Sequence, residues 1–210
     1  MSEQVIIIGA GGHGKVIADI VRSCGDSVLG FLDDSPNPPP SVCGIPVLGR
    51  SENYANYPEA SFVIAIGNGA VRRKVAQRLT GARWYTAIHP SAVISPMGTV
   101  IGEGTVIMAG AVVNPCAIIG KHCIINTKAS VDHDNKIGDY THISVGATLA
   151  GTVTVGDTVW VGAGAVVSNN ISICADCMIG AGAVVVRSIE EPGTYVGVPA
   201  RKITGTASQT

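Results

Sequence analysis

The densest run of side chains able to move a proton or grip a ligand lies between Asn126 and Ser144. His133 stands there between two carboxylates, Asp132 and Asp134, with Asn126 seven residues before it and His142 nine after it. A carboxylate beside an imidazole favours the charged ring and raises its basicity, which suits a proton acceptor working near neutral pH. For either histidine the alternative is a solvated surface corner with no chemistry.

A second concentration follows the aliphatic run Val5 to Ile8. Gly9-Ala10-Gly11-Gly12-His13-Gly14 precedes Val16, Ile17, Ile20 and Val21 at helical spacing, and a second strand, Val28 to Leu32, ends in Asp33-Asp34. In such a strand–turn–helix the glycines let backbone approach a phosphate, the helix N-terminus faces it, and the acidic residue reaches a ribose hydroxyl. Taken alone this pattern signals NAD; a tight turn without a ligand is the other reading.

The elements around the glycines argue for a smaller ligand. A third strand, Phe62 to Ile66, ends at Gly67-Asn68-Gly69, and a helix spans Val71 to Leu79. Residues 1–85 thus hold one βαβαβ half of a Rossmann fold, with room for one nucleotide and no second half for a dinucleotide. Arg72, Arg73 and Lys74 read as a solvated helix face. His89-Pro90 shapes the join between this unit and a repetitive second one.

From Ile101 to Val185 every sixth residue is aliphatic, through Ile107, Val113, Ile119, Ile125, Val131, Ile137, Ile143, Leu149, Val155, Val161, Val167, Ile173 and Ile179. A period of six matches neither an amphipathic helix nor an alternating strand, and it signals a hexapeptide β-helix in which three hexads close one triangular coil. Residues 86–210 are therefore expected to form a left-handed parallel β-helix with a C-terminal extension. The second hexad position is often glycine (Gly102, Gly120, Gly138, Gly156, Gly162, Gly180), as expected of a corner needing positive φ. The fifth is often small, as a narrow interior requires. Seven residues separate Ile94 from Ile101, so one early corner should bulge. With eighteen residues per coil, His133 should stack beneath Gly151 and His142 beneath Trp160.

Composition narrows the function classes. The net charge is −1, which suggests no basic face for nucleic acid or anionic membrane. No apolar run is long enough to span a bilayer, and the N-terminal residues lack the pattern of a signal peptide, so the chain reads as cytoplasmic. Its six cysteines are then expected to be reduced. Cys174 and Cys177 form a CxxC without a second pair, and they read as small buried residues rather than metal ligands.

On these residues the chain resembles the PglD/NeuD-like family, hexapeptide acyltransferases that acetylate nucleotide-linked sugars. The likeness rests on Gly-Ala-Gly-Gly-His-Gly-Lys, Phe-Leu-Asp-Asp, Ala-Ile-Gly-Asn, His-Pro-Ser-Ala, the Asn126 to His133 spacing and the closing run Tyr195 to Ile203. It implies an acetyl-CoA-dependent N-acetyltransferase for a nucleotide-linked amino sugar, needing no metal. It implies that His133 is the general base and Asp134 its orienting partner, with Asn126 near the reacting groups. Asp134 stands where one branch of the family has Glu. His142 and backbone at Gly151, Ala163 and Ala181 would contact acetyl-CoA; Gly11, Gly12, His13, Gly14, Asp33, Asp34 and Asn68 would hold the nucleotide. The family's homotrimer would form the coenzyme groove between subunits, since a single prism is convex. Competing readings are O-acetylation of a sugar such as sialic acid, a zinc enzyme using His122, His133 and His142, a nucleotide-sensing scaffold, and an NAD oxidoreductase.

Overall fold

A computed structural model describes residues 2–203. The N-terminal unit contains β1 (Gln4–Ile8), α1 (Gly12–Ser23), β2 (Ser27–Leu32), a small hairpin of β3 (Ser41–Val42) and β4 (Ile45–Pro46), β5 (Ser61–Ile64), α2 (Gly69–Arg78) and β6 (Arg83–Trp84). Its sheet runs β2-β1-β5-β6, all parallel. Strand β6 extends the three strands expected, and a 3-10 helix at Ser51–Asn56 takes the place of the second crossover helix. The strand order reverses between β1 and β5, and ligands of such sheets bind in the crevice beyond the strand ends at that switch point. The glycine turn after β1 and Gly67-Asn68 after β5 both lie there.

The coil begins at Ala87–Ile88 and stacks its short strands into three parallel faces. The first face runs through Val106–Ile107, Ile124–Ile125, His142–Ile143 and Trp160–Val161; the second through Val112–Val113, Ser130–Val131, Thr148–Leu149 and Val166–Val167; the third through Ile118–Ile119, Lys136–Ile137 and Thr154–Val155. This is a parallel β-helix, joined to the half-Rossmann unit as expected. Val100 pairs with Ile118 eighteen residues on, whereas Val93 pairs with Val112 nineteen on, so the extra residue sits where the seven-residue step put it. The anchor aliphatics fill the interior: Ile107, Ile125, Val131, Ile143, Leu149, Val161 and Val167 have no exposed surface. Each such burial contributes about 1.5 to 3 kcal/mol.

The second-position glycines have a different cause from the one expected. Positive φ falls at the fourth hexad position, at Gly104, Gly110, Cys116, His122, Lys128, Asp134, Tyr140 and onward in steps of six to Gly182. The second-position glycines instead keep room for the next coil: a Cβ on Gly102 would lie 2.5 Å from the Gly120 carbonyl carbon, and one on Gly138 would lie 2.6 Å from the Asp157 nitrogen.

The two units share a core. Val5, Ile7, Ile17 and Val21 of the sheet and α1 pack in one cluster with Ala87, Val106, Met108 and Ile124 of the first face. The nucleotide-type turn is thereby held against the coil that carries His142.

Candidate active site

His133 lies on the edge between the second and third faces, in the turn 132–135. Three polar side chains build this corner. Asp132 accepts the His133 backbone N–H at 2.8 Å and the Asn114 side-chain amide at 2.7 Å. Asn135, fully buried, donates to the carbonyls of Asp132 (2.7 Å) and Ala150 (2.9 Å) and accepts from the Val153 N–H. Asp134 adopts φ +59°, a left-handed conformation that Asp tolerates better than most residues, and its Oδ2 lies 2.7 Å from His133 Nδ1. A carboxylate only accepts, so Nδ1 carries the proton and Nε2 presents its lone pair. The hydrogen bond to Asp134 raises the basicity of His133; desolvation opposes it in part, and the charges of Asp132 and Asp134 add to the rise. Nε2 faces the next coil at Gly151, where a Cβ would stand only 2.5 Å away. The stacking read from the eighteen-residue period is therefore present, with the ring exposed and no side chain at Gly151 directly against it.

A second group occupies the joint between the two units. His142 is buried and stacks on Trp160 with ring centroids 5.0 Å apart, and the Trp160 indole N–H donates to Ser144 Oγ at 2.7 Å. The Asn126 amide lies 3.0 Å from His142 Nε2. Burial, then the charges of Arg72 and His13, push His142 down to about 3 against a favourable Gly67 carbonyl. His13 is similarly held near 4 by burial and by Arg72. Both rings are therefore neutral near pH 7, each with one N–H donor and one acceptor nitrogen that can bind or orient a ligand, and both are weak bases. The buried Nε2 of His13 has no hydrogen-bond partner. Asn126 belongs to this group, on the edge between the first and second faces, and not to the His133 corner of the same chain.

The other expected contacts divide between these places. Gly11 and Gly12 face open space, whereas a Cβ on Gly14 would collide with the Gly9 carbonyl oxygen, so Gly14 serves the tight turn itself. Asp33 braces that turn by accepting the Ala10 N–H at 2.7 Å. Asp34 is engaged away from the turn, by the Ser51 N–H and hydroxyl and by Arg78 at 2.7 Å. Both carboxyls lie below the usual range: burial opposes ionisation, but hydrogen bonds from Ser35 and Ala10 to Asp33, and from Ser51 and Arg78 to Asp34, outweigh it. Asn68 caps α2 through its Oδ1 and lines a cavity of about 250 Å³ with Gly69, Thr158, Trp160, Met178 and Thr194. Ala163 and Ala181 are exposed and stack on the edge above Asn126, where Gly146, Gly164 and Gly182 leave no side chain. Gly151 lies on the other edge with His133, so the expected coenzyme contacts fall on two edges of the prism.

Arg72 corrects the sequence reading. It is not a solvated residue but is 1% exposed, with its guanidinium spread over five carbonyl oxygens. Asn135 and Asn114 were also missed as supports of the corner. The signal for Asn135 was available: it occupies the inward fifth position, otherwise filled by small or aliphatic residues. His122, His133 and His142 are not gathered, since His122 is packed against Trp84 and Tyr140. Among the described residues no cluster of three or more His, Cys, Asp or Glu side chains could hold a metal ion.

Known proteins share both units of the chain. Residues 4–79 match the PglD N-terminal domain, and residues 98–133 match the bacterial transferase hexapeptide repeat. The acetyltransferase domain of PglB from Neisseria gonorrhoeae superposes with a TM-score of 0.89 at 34% identity, over 96% of this chain and 100% of that one. The chain belongs to the PglD-like hexapeptide acyltransferases. Another member, PerB from Caulobacter crescentus, solved with CoA and GDP-perosamine, shares 39% identity over 96% of this PglD-like chain and 97% of its own, with a TM-score of 0.88. The UDP-N-acetylbacillosamine N-acetyltransferase of Bacillus subtilis is 44% identical over 112 residues, which is 47% of this chain and 48% of that protein. The PglD-like chain thus matches less than half the length of this curated relative.

Proposed function

We propose that the chain is an acetyltransferase that moves the acetyl group of acetyl-CoA to an amino group of a nucleotide-linked sugar. The observation that carries the reading is the His133–Asp134 pair, with a basic Nε2 against Gly151, which has no side chain. The amine lone pair attacks the thioester carbonyl carbon, and the proton the nitrogen loses passes to Nε2. The tetrahedral oxyanion collapses, the C–S bond breaks, and the departing sulfur takes the proton from the imidazolium. Products are the N-acetylated sugar and free coenzyme A. Such a positioned base contributes about 10² to 10⁴-fold. Relatives support both substrates: the PglB domain has been solved with acetyl coenzyme A, and PerB with CoA and GDP-perosamine.

Gly11, Gly12 and His13 form the nucleotide cradle, with Asp33 bracing it and Asn68 across the switch point. Assembly completes the site. The coenzyme contacts lie on two edges of one prism, so a groove that includes both needs a neighbouring copy. The outward residues of the second face, Val93, Val112, Ser130, Thr148, Val166 and Val184, are uncharged and short, which suits a flat interface in a homotrimer. Both co-substrates are charged molecules that do not cross membranes unaided, which favours the cytoplasm. Among the described residues no helix is long and apolar enough to cross a membrane.

The test is free-thiol release from acetyl-CoA with 4-amino sugars carried on UDP, GDP and dTDP. The reading expects one of them to drive thiol release well above the rate without acceptor; release that is indifferent to every acceptor would overturn it.

A further inference from the structure

Arg72 lies in the first turns of α2, where a cation is usually solvated. Here it is 1% exposed, and every nitrogen of its guanidinium is used. Nη1 donates to the carbonyls of Ile66 (2.8 Å) and Gly67 (2.7 Å), at the end of β5. Nε donates to His122 (2.9 Å), and Nη2 to Tyr140 (2.5 Å) and Thr141 (3.3 Å), all on the coil.

The two ends of this clamp are functional walls. Ala65, one residue before Ile66, has its carbonyl oxygen 2.9 Å from where a Cβ on Gly9 would stand, so the β5 end abuts the glycine turn. Thr141 immediately precedes His142, which bonds Asn126. His122 and Tyr140 are eighteen residues apart, so the guanidinium spans two successive coils. The joint beside it is tight as well: a Cβ on Gly69 would lie 2.5 Å from the Tyr140 carbonyl oxygen. A planar five-donor fork can serve acceptors in these directions, whereas the point charge of lysine cannot.

We propose, on the basis of the acetyl transfer inferred above, that Arg72 is a positioning residue that fixes the nucleotide cradle relative to the coil, and through the rigid coil relative to the acetyl-transfer site. It touches neither substrate. The expected coenzyme contacts at His142, Gly151, Ala163 and Ala181 all lie on the coil, and the His142–Ile143 strand is held on both sides by its pairing with Ile124–Ile125 and Trp160–Val161, so their spacing does not depend on Arg72. Arg72 therefore governs how the nucleotide sugar is presented and leaves acetyl-CoA binding alone.

The experiment compares wild type, Arg72→Lys and Arg72→Met in steady-state kinetics with the accepted nucleotide sugar, and measures acetyl-CoA Kd by calorimetry. Misplacing a reacting group by about 1 Å can cost about 10²-fold. Arg72→Lys is expected to lose about tenfold or more in kcat/KM for the nucleotide sugar, and Arg72→Met more, with acetyl-CoA Kd within about twofold of wild type. A general folding role would move both ligands together, and that result overturns the proposal. Unchanged kinetics in Arg72→Lys overturn it too. If Arg72→Met does not fold, Arg72→Lys, which keeps the charge and most of the length, decides. Failure of the functional reading would be visible separately, as a wild type that releases no thiol with any acceptor. Thermal unfolding by calorimetry then tests the clamp without substrate: two transitions in Arg72→Lys where wild type shows one support it, and one unshifted transition in both refutes it.

Discussion

Gly151→Ala tests the base at the atom where it works. The added methyl would stand 2.5 Å from His133 Nε2 and 2.6 Å from Cε1, against ordinary contacts of 3.4 Å and beyond. The imidazole must then retreat by about 1 Å, and it can do so cheaply because the His133 side chain is 55% exposed. Retreat stretches or breaks the 2.7 Å bond to Asp134 and removes Nε2 from the position where it meets the amine. Gly151 itself is buried against that ring, but because the exposed ring is the part that yields, stability should change by less than about 1 kcal/mol. Activity should fall by about 10²-fold in kcat, the usual cost of misplacing a reacting group by that distance. Thiol release reads kcat, and thermal unfolding reads stability. The same substitution made in a His133→Ala background should have no further effect on kcat, which separates loss of the base from obstruction of coenzyme. An unchanged kcat in folded Gly151→Ala, or an equal loss in the His133→Ala background, would refute the reasoning.

The same contacts set three further outcomes. Asp134→Asn should keep the fold, because Asn also accepts left-handed backbone, while the acidic limb of kcat/KM moves to lower pH as His133 loses the bond that raises it; an unmoved limb would assign that limb to another group. Acid should destabilise the chain below pH 6.5: His13, His122 and His142 are buried neutral, with folded values pushed down to about 4, 4 and 3, so the unfolded chain binds more protons as pH falls from 6.5 towards 4. His133, exposed and raised, works weakly in the opposite sense, and Asp33 and Asp34 add their own loss only near and below 3.8. A flat Tm across that window would contradict the burial of these rings. Gly138→Ala should cost about 1 to 3 kcal/mol or more, because its Cβ meets the unyielding backbone of the next coil; Gly146→Ala, at φ +64° with open space around it, should cost only the left-handed penalty of about 1 to 2 kcal/mol. Equal Tm losses would return the second-position glycines to a conformational role.

The sequence carried the coil and its contents because both are periodic. Anchors six apart and coils eighteen apart placed His133 beneath Gly151 and His142 beneath Trp160 by counting alone. The His133–Asp134 pair was legible because its members are adjacent. The cause of the second-position glycines was not, since a left-handed corner and a close approach between coils select the same residue. Only the backbone shows that the left-handed position is the fourth, where His122, Asp134 and Tyr140 sit. Arg72 escaped for a different reason: which helix face is covered depends on how two distant segments dock, and neither hydrophobic period nor charge spacing encodes that. Asp34 likewise fits the nucleotide pattern, yet its carboxylate is engaged by Ser51 and Arg78, contacts seventeen and forty-four residues away.

The central claim is acetyl transfer to nitrogen on a nucleotide-linked sugar, and mass spectrometry of the reaction product tests it most directly. Incubation of the protein with acetyl-CoA and the accepted 4-amino nucleotide sugar should yield the intact nucleotide sugar heavier by one acetyl group, and that group should survive mild alkali as an amide does. An unmodified sugar nucleotide, or an acetyl group that mild alkali removes as an ester, would contradict the account.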